Sequence, residues 1–549
     1  MALDRIHHIL EQYPASDLAA RLAAGEEVSG VSVAGLRERI EVLRREIALA
    51  KLESGKLREI LGRPPSPSGA EENGWTDLHY AAGLNLPEQV ALLLDAGANL
   101  ESRLKENFVP ISDQLKQSLR GVGLFADLSR HGYTPLHVAA FNNAREAFAV
   151  LLARGAEINA NAHGKTPLHA AALANAAEIA AVLMALGADS NARDYTGLSP
   201  LHMAAYGNAK EVAADLLERL TYTSARNFFD RTPLHVAAIV NAKEIAAALI
   251  DRGADVDDED GNGSTPLHLA ARNDATEIAA NLIAHGASIH ATDNGGETPL
   301  HDAARGNARE IAADLIARGA ALDVTDYGGE TALHEAAKGN APEMTADLIA
   351  RGLSIHVKDQ DGETPLHDAA YWNAKEVAAD LIARGADFQA RDNDGETPLY
   401  EAALGNAKGI AAELIARGAD TRSKNNSGST LLHAAGRGDA KEVADYLLAH
   451  GADIHARDDD GLTPLHEAAQ GHAQEIAAEL IARGADIHAG DKNGKTPLHH
   501  AARANARAVA KHLVDLGADV HAKDNDGLTP VTIAEDYDYR ELLLLLTKE

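Results

Sequence analysis

The sequence has 549 residues, with 82 Asp and Glu against 51 Lys and Arg, no cysteine and 21 aromatic side chains. Its 45% apolar composition is that of a folded protein, and its length exceeds what a single core organises, so several domains or a repeat array are expected. The net charge of −31 argues against a nucleic-acid-binding surface, and the lack of cysteine excludes disulfides, thiolate nucleophiles and thiolate zinc sites.

The beginning of the chain carries no recognisable targeting signal. Charges at Asp4 and Arg5 interrupt it, and no apolar run in the sequence reaches the roughly 20 residues that span a bilayer. We therefore expect a cytoplasmic protein without membrane contact. Signal-independent export into another cell is the open alternative.

Residues 1–62 are predicted to form a helical extension, and residues 63–73, rich in Pro, Ser and Gly, a linker. Apolar residues of the extension alternate spacings of four and three, as in a coiled-coil seam. We interpret this seam either as a cap on the first repeat or as a surface for self-association into a homo-oligomer. Its residues are Leu36, Ile40, Leu43, Ile47, Leu57 and Leu61.

A tetrapeptide recurs through the remaining chain, residues 74–549. Thr-Pro-Leu-His occurs in eight complete copies and six degenerate ones, and from Thr166 onwards every copy falls on a 33-residue grid. This period indicates a stack of about 14 repeats that share one core. The last unit, about residues 527–549, keeps Thr529 and Pro530 but loses Leu-His, so we expect a capping repeat.

Residues 298–330 show how each unit is expected to fold. Pro299 begins a short first helix, and a second helix with apolar residues at helical spacing follows the break at Gly306. Gly319 ends the second helix, and residues 326–329 supply a hairpin turn. The period, the TPLHxAA signature and the Gly-Ala-Asp turn resemble the ankyrin repeat family. The resemblance implies an all-α solenoid of 14 helix-turn-helix-hairpin units.

The same resemblance implies that the histidine of each motif, for example His301 or His367, is structural and hydrogen-bonds backbone near the adjoining hairpin. We expect no catalytic residue, metal or cofactor. There is no nucleotide-binding or Ser-His-Asp signature, and the 70 residues outside the repeats are too few for most enzyme domains. Asp-x-Asp-Gly segments lack the twelfth-position glutamate of a calcium loop, and the hairpin explains their spacing.

The first repeat is interrupted. Thr76 and Thr134 are 58 residues apart, which places a 25-residue insertion within about residues 100–131. Residues 112–128 have apolar positions at helical spacing. We interpret this segment either as a helical finger that contacts a ligand or as a flap over the edge of the first repeats.

In ankyrin proteins, hairpin tips and the ends of first helices line the concave groove that binds partners. In repeats two to five, the residue seven positions after the repeat threonine or serine is apolar. The hairpin tips nearby are aromatic. We expect an apolar interaction patch there, with rings packed between repeats as the alternative. Tyr371 and Trp372 form a second expected anchor in repeat nine. The remaining apolar candidates are Phe141, Leu173, Tyr195, Tyr206, Phe228, Phe229, Ile239, Tyr327 and Leu404.

The hairpin before Thr232 departs from the pattern. Leu220 stands where other units have a cap glycine, and residues 227–230 replace the usual Asp-x-x-Gly. A left-handed backbone is costly for a residue with a side chain, so we expect strain at Leu220. The exposed phenylalanines expected at the tip should be covered.

Carboxylates line the expected groove in repeats seven to ten, where Arg305 and Lys338 offset them only partly. We expect them to attract a basic partner, with a solvated polar face as the alternative. A further acidic column on the second helices has Arg four residues later and is interpreted as stabilising. The groove carboxylates are Glu297, Glu330, Glu363 and Glu396 in one column and Asp302, Glu335, Asp368 and Glu401 in the other.

The expected function is that of a non-enzymatic scaffold that binds another protein, with a basic surface, in the concave ankyrin groove. Two alternatives stay open. One is an acidic inhibitor, immunity or anti-defence protein that mimics nucleic acid or neutralises a basic enzyme. The other is a structural oligomer that self-assembles through the N-terminal helices. Direct binding of nucleic acid or membrane is not expected.

Overall fold

A computed structural model describes residues 65–67, 75–104, 132–220 and 223–547. The predicted heptad seam, most of the predicted linker and residues 105–131 of the predicted insertion lie outside this part of the chain. Within it there are 28 helices and, in place of strands, isolated bridges such as that between Ala162 and Lys165. The all-α repeat fold predicted from the sequence is confirmed.

The chain divides into two compact units, the first of which ends at Asp255. Its described residues form five helix pairs, one for each repeat. The first helices of successive pairs pack on one another, and so do the second helices, as in other stacked repeats. The helices are α1 (Asp77–Gly83), α2 (Pro87–Asp95), α3 (Pro135–Phe141), α4 (Arg145–Ala153), α5 (Pro167–Leu173), α6 (Ala177–Ala185), α7 (Pro200–Tyr206), α8 (Lys210–Arg219), α9 (Pro233–Val240) and α10 (Lys243–Asp251).

The second unit begins at Val256 and contains nine helix pairs in its described residues, repeats six to fourteen. Its first helices also pack side by side along the unit. The helices are α11 (Pro266–Arg272), α12 (Thr276–Ala284), α13 (Pro299–Arg305), α14 (Arg309–Ala317), α15 (Ala332–Lys338), α16 (Pro342–Ala350), α17 (Pro365–Tyr371), α18 (Lys375–Ala383), α19 (Pro398–Leu404), α20 (Lys408–Ala416), α21 (Leu431–Arg437), α22 (Lys441–Ala449), α23 (Pro464–Gln470), α24 (Gln474–Ala482), α25 (Pro497–Ala504), α26 (Arg507–Asp515), α27 (Pro530–Asp536) and α28 (Arg540–Leu546).

Each repeat motif builds the start of a first helix, as α13 shows. His301 Nδ1 lies 3.1 Å from the backbone nitrogen of Thr298 and 2.9 Å from its hydroxyl. The other ring nitrogen, Nε2, lies 3.1 Å from the carbonyl oxygen of Glu330 at the end of the next hairpin. Because a carbonyl only accepts, Nε2 carries the proton and Nδ1 is the acceptor. Proline at the first helical position loses no hydrogen bond.

The core of each repeat is built from small and branched apolar side chains. In repeat seven, Leu300 and Ala303 of α13 are buried with Ile311 and Leu315 of α14. The alanines let the helices of neighbouring repeats approach closely, and the larger residues fill the space between the helix layers. Gly319 has a φ of 104°, a conformation that favours glycine, where the chain leaves α14 for the hairpin.

The irregular hairpin of residues 227–230 keeps the standard turn by other means. Leu220 is extended, with φ −80° and ψ 137°, so the left-handed strain expected there is wrong. Asp230 instead adopts φ 55° at the position that glycine takes in the other hairpins. The side-chain oxygen of Asn227 accepts the N–H groups of Phe229 and Arg231 at 2.9 and 3.0 Å, and so replaces the usual aspartate.

The fourteenth pair begins differently from the others. Thr532 stands at the histidine position, and its hydroxyl oxygen accepts the Thr529 N–H at 2.8 Å. The hydroxyl also lies 2.9 Å from the carbonyl oxygen of Thr529. These contacts close the cap within the same repeat, without a partner in a following hairpin.

Candidate functional site

Charged residues from three positions of the repeat lie together at the ends of the first helices in repeats six to eight. These positions are the last residue of the first helix, the residue before the repeat threonine and the residue after Leu-His. Arg272, the last residue of α11, contacts Asp302 at 2.5 Å and Glu297 at 3.0 Å. Arg305, the last residue of α13, contacts Glu297 at 2.6 Å and also contacts Glu335 of the next repeat. Each arginine therefore joins acids of two columns, and neighbouring repeats share a continuous ion-pair network.

Lys338 extends this network by one repeat. Its ammonium group contacts Glu330 and lies 3.3 Å from Glu335. The carboxylates raise the pKa of Lys338 against the opposing effect of its burial, so it stays charged. It also acts electrostatically on Asp368 of repeat nine, although no ion pair joins them in the described residues.

The acids that directly follow Leu-His in the repeat motif are buried, whereas the sequence predicted an open groove at this place. Asp302 and Glu335 are fully buried, and Asp368 and Glu401 are only 4% exposed. The four acids of the other column are half-buried, so the alternative of a solvated polar face does not describe these eight carboxylates. Burial raises the pKa of Asp302 and of Glu335 to about 7, although Arg272 lowers the first and Arg305 the second.

The first helix no longer ends in a cation in repeats nine and ten. Tyr371 stands 33 residues after Lys338, and Leu404 stands at the same position of repeat ten. Several carboxylates in this region consequently have no ion pair within the described residues. One of them, Glu396, accepts a hydrogen bond from Asn425, and we call four others the repeat-nine acid cluster. They are Glu363, Asp368, Asp392 and Glu401.

The acid cluster is compact. Carboxylate oxygens of Glu363, Asp392 and Glu401 all lie within 4.8 Å of one another. Asp392 uses one oxygen to accept the Glu396 N–H at 2.7 Å. One oxygen of Asp368 is buried and has no hydrogen-bond partner. The cluster therefore offers several acceptor oxygens and, among the described residues, no cationic donor.

Burial and mutual repulsion make these carboxyl groups weak acids. Burial raises the pKa of Glu363 to about 7, with Asp359 and Asp392 adding to the effect. Burial together with the charges of Glu363 and Glu396 raises the pKa of Glu401 to about 9. The pKa of Asp368 is also well above its usual range. At neutral pH the cluster therefore retains protons, which a bound cation would displace.

Positions 371 and 404, where the first helices of repeats nine and ten end without a cation, form what we call the gap. Ion pairs of this kind are present again after it. Arg437, the last residue of α21, contacts Glu467 through two nitrogens at 3.1 and 3.2 Å. Asn425 donates to Glu396 at 2.8 Å. Among the described residues of these columns, the acids without an ion pair thus lie in repeats nine and ten, between Lys338 and Arg437.

Exposed aromatic residues border the gap. The rings of Tyr371 and Trp372 lie edge to face with centroids 5.4 Å apart, and they are 41% and 59% exposed. Tyr371 occupies the helix position that Arg305 and Lys338 occupy in their repeats. The predicted anchor therefore lies at the surface, next to the acid cluster.

The apolar patch expected in repeats two to five is wrong in part. Leu173 and Tyr206 are buried, while Phe141 and Ile239 are half-buried. The side chains at the ends of the first helices are therefore sheltered by neighbouring repeats to different degrees. Leu404 is likewise packed against the core of its own unit.

The aromatic hairpin tips are exposed as expected. Tyr195 contacts His163 edge to face, with ring centroids 5.3 Å apart. The guanidinium carbon of Arg231 lies 5.7 Å from the centre of the Phe229 ring and covers one face of it. The other exposed tips are Phe228 and Tyr327.

The histidines of the repeat motif form the structural contacts that the resemblance implied, with one exception. His367 of repeat nine makes the cap contact to Thr364 at 2.9 Å, but its Nε2 interacts with the Glu396 backbone without the close hydrogen-bond geometry seen in other repeats. His334, one repeat earlier, has a longer contact of 3.4 Å to the carbonyl of Glu363. The histidine contacts are therefore loosest in the repeats that carry the acid cluster.

Sequence reasoning did not identify Asp392 as a site residue. Its signal is the spacing of 29 residues from Glu363, the same offset that separates His301 from the Glu330 carbonyl. In the described part of the chain, the side chains of Glu363, Asp392 and Glu401 lie near enough together to hold a metal ion. No metal site was predicted.

The predicted ion pairs on the second helices are mostly formed. Arg318 contacts Asp314 at 2.9 Å, and the corresponding pairs of α18, α20 and α24 are also present. Asp347 instead contacts Arg309 of the preceding repeat at 2.8 Å. These pairs are exposed, as expected for a solvated helix face.

Among the described residues no helix is long and apolar enough to cross a membrane, and the longest has 10 residues.

Comparison with known families agrees with this architecture. A family model for ankyrin repeats, in three copies, matches the sequence in overlapping segments at residues 112–194, 191–260, 234–326, 300–392, 381–458, 400–491 and 452–524. The chain belongs to the ankyrin repeat family. None of the curated proteins compared with the chain matches it. Ankyrin repeats are generally protein–protein interaction modules and typically non-enzymatic.

Proposed function

We propose that this protein is a scaffold that binds a partner protein with a basic surface at the first-helix ends of repeats seven to ten. One observation carries the proposal. The repeat-nine acid cluster is buried or half-buried without an ion pair in the described residues, while the acids of the preceding repeats at the positions of Glu363, Asp368 and Glu401 are paired.

The energetics favour a partner that supplies positive charge. Buried carboxylates near one another are costly when ionised, and the raised pKa values of Glu363 and Glu401 express that cost. A cation from a partner would replace the arginine that repeat nine lacks. The exposed rings of Tyr371 and Trp372 would add apolar contact area at the edge of the charged site.

The geometry favours basic side chains over imitation of nucleic acid. A phosphate mimic presents exposed, regularly spaced negative charge, whereas Asp302 and Glu335 are buried and paired. The unpaired charge is concentrated in two repeats. Recognition of a few individual cationic side chains fits this distribution better than binding to an extended basic cleft.

Other predictions from the sequence stay predictions. Self-association through the N-terminal helices concerns residues outside the described part of the chain. The cytoplasmic location, the lack of enzymatic activity and the lack of nucleic-acid binding likewise rest on the sequence alone.

The proposal is tested by affinity capture from source-cell lysate with the full-length protein. We compare wild type with a Glu363→Gln, Glu401→Gln variant and a Tyr371→Ala, Trp372→Ala variant. The matched control is Glu310→Gln, Glu475→Gln, which removes two exposed carboxylates from second helices. Loss of the same partner with both site variants, and its retention by the control, is the expected result. Equal recovery with all four proteins would contradict the proposal.

A further inference from the structure

The ion-pair network follows a fixed register. An arginine at the end of a first helix contacts the acid 30 residues later, as Arg272 does with Asp302 and Arg437 with Glu467. The shorter Lys338 acts on Asp368 without an ion pair in the described residues. A cation at this position also contacts the acid eight residues earlier, as Arg305 does with Glu297. This register identifies the acids that each first-helix end faces.

Applied to repeat nine, the register leaves two contacts open. Position 371 faces Glu401, 30 residues later, and Glu363, eight residues earlier, but it holds a tyrosine. Carboxylate oxygens of Glu363 and Glu401 lie within 4.8 Å of each other. The space that an arginine side chain would fill in this repeat is thus bounded by two acids and an exposed aromatic ring.

We propose that an arginine side chain of the partner protein binds in this gap, with its guanidinium group between Tyr371 and the carboxylates of Glu363 and Glu401. The inference rests on the proposed function and names the group that is recognised. The partner's arginine would take the role in trans that Arg305 has in cis two repeats earlier.

The chemistry of the gap favours a guanidinium group over an ammonium group. A guanidinium is planar, stacks on aromatic faces and donates in a fork that matches paired carboxylate oxygens. Asp368, which by the same register faces Lys338, adds to the negative charge of the cluster, because its carboxyl group is 4% exposed and one of its oxygens has no hydrogen-bond partner among the described residues. That group also interacts electrostatically with Glu363, so it belongs to the same field of negative charge.

A divalent metal ion fits the same residues less well. Calcium takes six to eight oxygen ligands. Three carboxylates lie close enough together to bind one ion, and one oxygen of Asp392 already accepts a backbone N–H. Metal binding is nevertheless measured as a separate arm of the test.

The test uses the full-length protein and a fluorescein-labelled peptide of nine alternating arginines and glycines, with fluorescence anisotropy in dilute buffer. Tyr371→Arg places the cation in cis and should weaken peptide binding at least tenfold, as should Glu401→Gln. The control Gln470→Arg adds the same charge at the equivalent, exposed position of repeat twelve, where the facing residues are Leu462 and His500. It should change the affinity less than twofold. A lysine–glycine peptide should bind several-fold more weakly than the arginine peptide.

Three results would overturn the inference. Equal losses in Tyr371→Arg and Gln470→Arg would show that only net charge matters. Equal affinity for the two peptides would exclude guanidinium recognition. Displacement of the peptide by micromolar calcium from wild type, but not from Glu401→Gln, would assign the gap to a metal ion.

Failure of this inference is distinguishable from failure of the proposed function. If Tyr371→Arg still captures the lysate partner that the Glu363→Gln, Glu401→Gln variant loses, the proposal of a basic partner is retained and the proposal of arginine recognition is rejected. If the arginine peptide binds in the gap but no protein is captured, the site stands without the scaffold function. Thermal unfolding followed by circular dichroism verifies that each variant is folded.

Discussion

Arg305, at the end of one first helix, contacts the buried carboxylate of Glu335 in the next repeat. The contact couples two repeats through charge as well as through apolar packing. A buried carboxylate of this kind depends on its partner, since an unpaired charge in the interior is strongly unfavourable.

Removal of that partner should destabilise the second unit. We expect Arg305→Ala to lower the free energy of unfolding by about 3 kcal/mol, at the low end for a broken buried pair because Lys338 remains 3.3 Å from Glu335. Arg318→Ala is the control, since its pair with Asp314 is exposed. Urea unfolding followed by circular dichroism compares the two, and similar midpoints would show that the buried pair is not stabilising.

The histidine of the repeat motif should be important for stability without any role in binding. His301→Ala removes the contact to the Glu330 carbonyl and leaves buried polar groups unsatisfied, which costs about 1–3 kcal/mol. His521→Ala, at an exposed histidine outside the motif, should leave the unfolding midpoint unchanged. Binding of the arginine–glycine peptide should be the same in both folded variants.

Stability should pass through a maximum near neutral pH. Burial lowers the pKa of His334 and of His466 to about 4, below the usual 6.5, so the folded state binds fewer protons and gains stability as pH rises from 4 to 6.5. The pKa of Glu401 is raised to about 9 from its usual 4.5. Its folded state holds a proton that the unfolded state releases, so this contribution is complete below pH 4.5 and is lost as pH rises to 9.

The alkaline side of this profile can be assigned to the acid cluster. Glu401→Gln keeps the shape of the side chain without the charge, so it should raise the stability at pH 9 by about 1–3 kcal/mol and leave the profile below pH 4.5 nearly unchanged. Urea midpoints measured at pH 5, 7 and 9 check this expectation. An alkaline decline as steep as that of wild type would remove Glu401 from the explanation.

An arginine introduced at position 371 of the chain itself should stabilise the fold. In Tyr371→Arg, the new guanidinium would face Glu363 and Glu401, lower the pKa of both and reduce the loss of stability above pH 7. We expect a higher thermal midpoint than wild type at pH 8. The control Gln470→Arg should show no such increase, because no acid occupies its equivalent facing positions.

The sequence predicted the all-α repeat fold because the cap of each first helix is local. Thr298 and His301 contact each other across three residues, and the grid repeats that contact through the chain. It did not predict the burial of Asp302, which depends on Arg272 in the preceding repeat and on how closely the neighbouring first helices approach. Tyr206 was misplaced for the same reason, since the packing of adjacent repeats decides whether a ring at this position is covered.

Asp392 shows the same limit at the site itself. Its distance to Glu401 is set by the path of a hairpin between two repeats, and no local pattern in the sequence marks it. The missing cation at position 371, in contrast, is visible once the register of the other repeats is known.

The protons held by Glu363 and Glu401 near neutral pH would make the proposed docking a proton-releasing reaction. A guanidinium that enters the gap would expel them into the solvent, so part of the heat of association would come from the buffer that takes them up. Calorimetry in phosphate and in Tris should therefore give different apparent enthalpies for the same complex. Acidification of the surroundings would loosen the complex without altering a single contact residue.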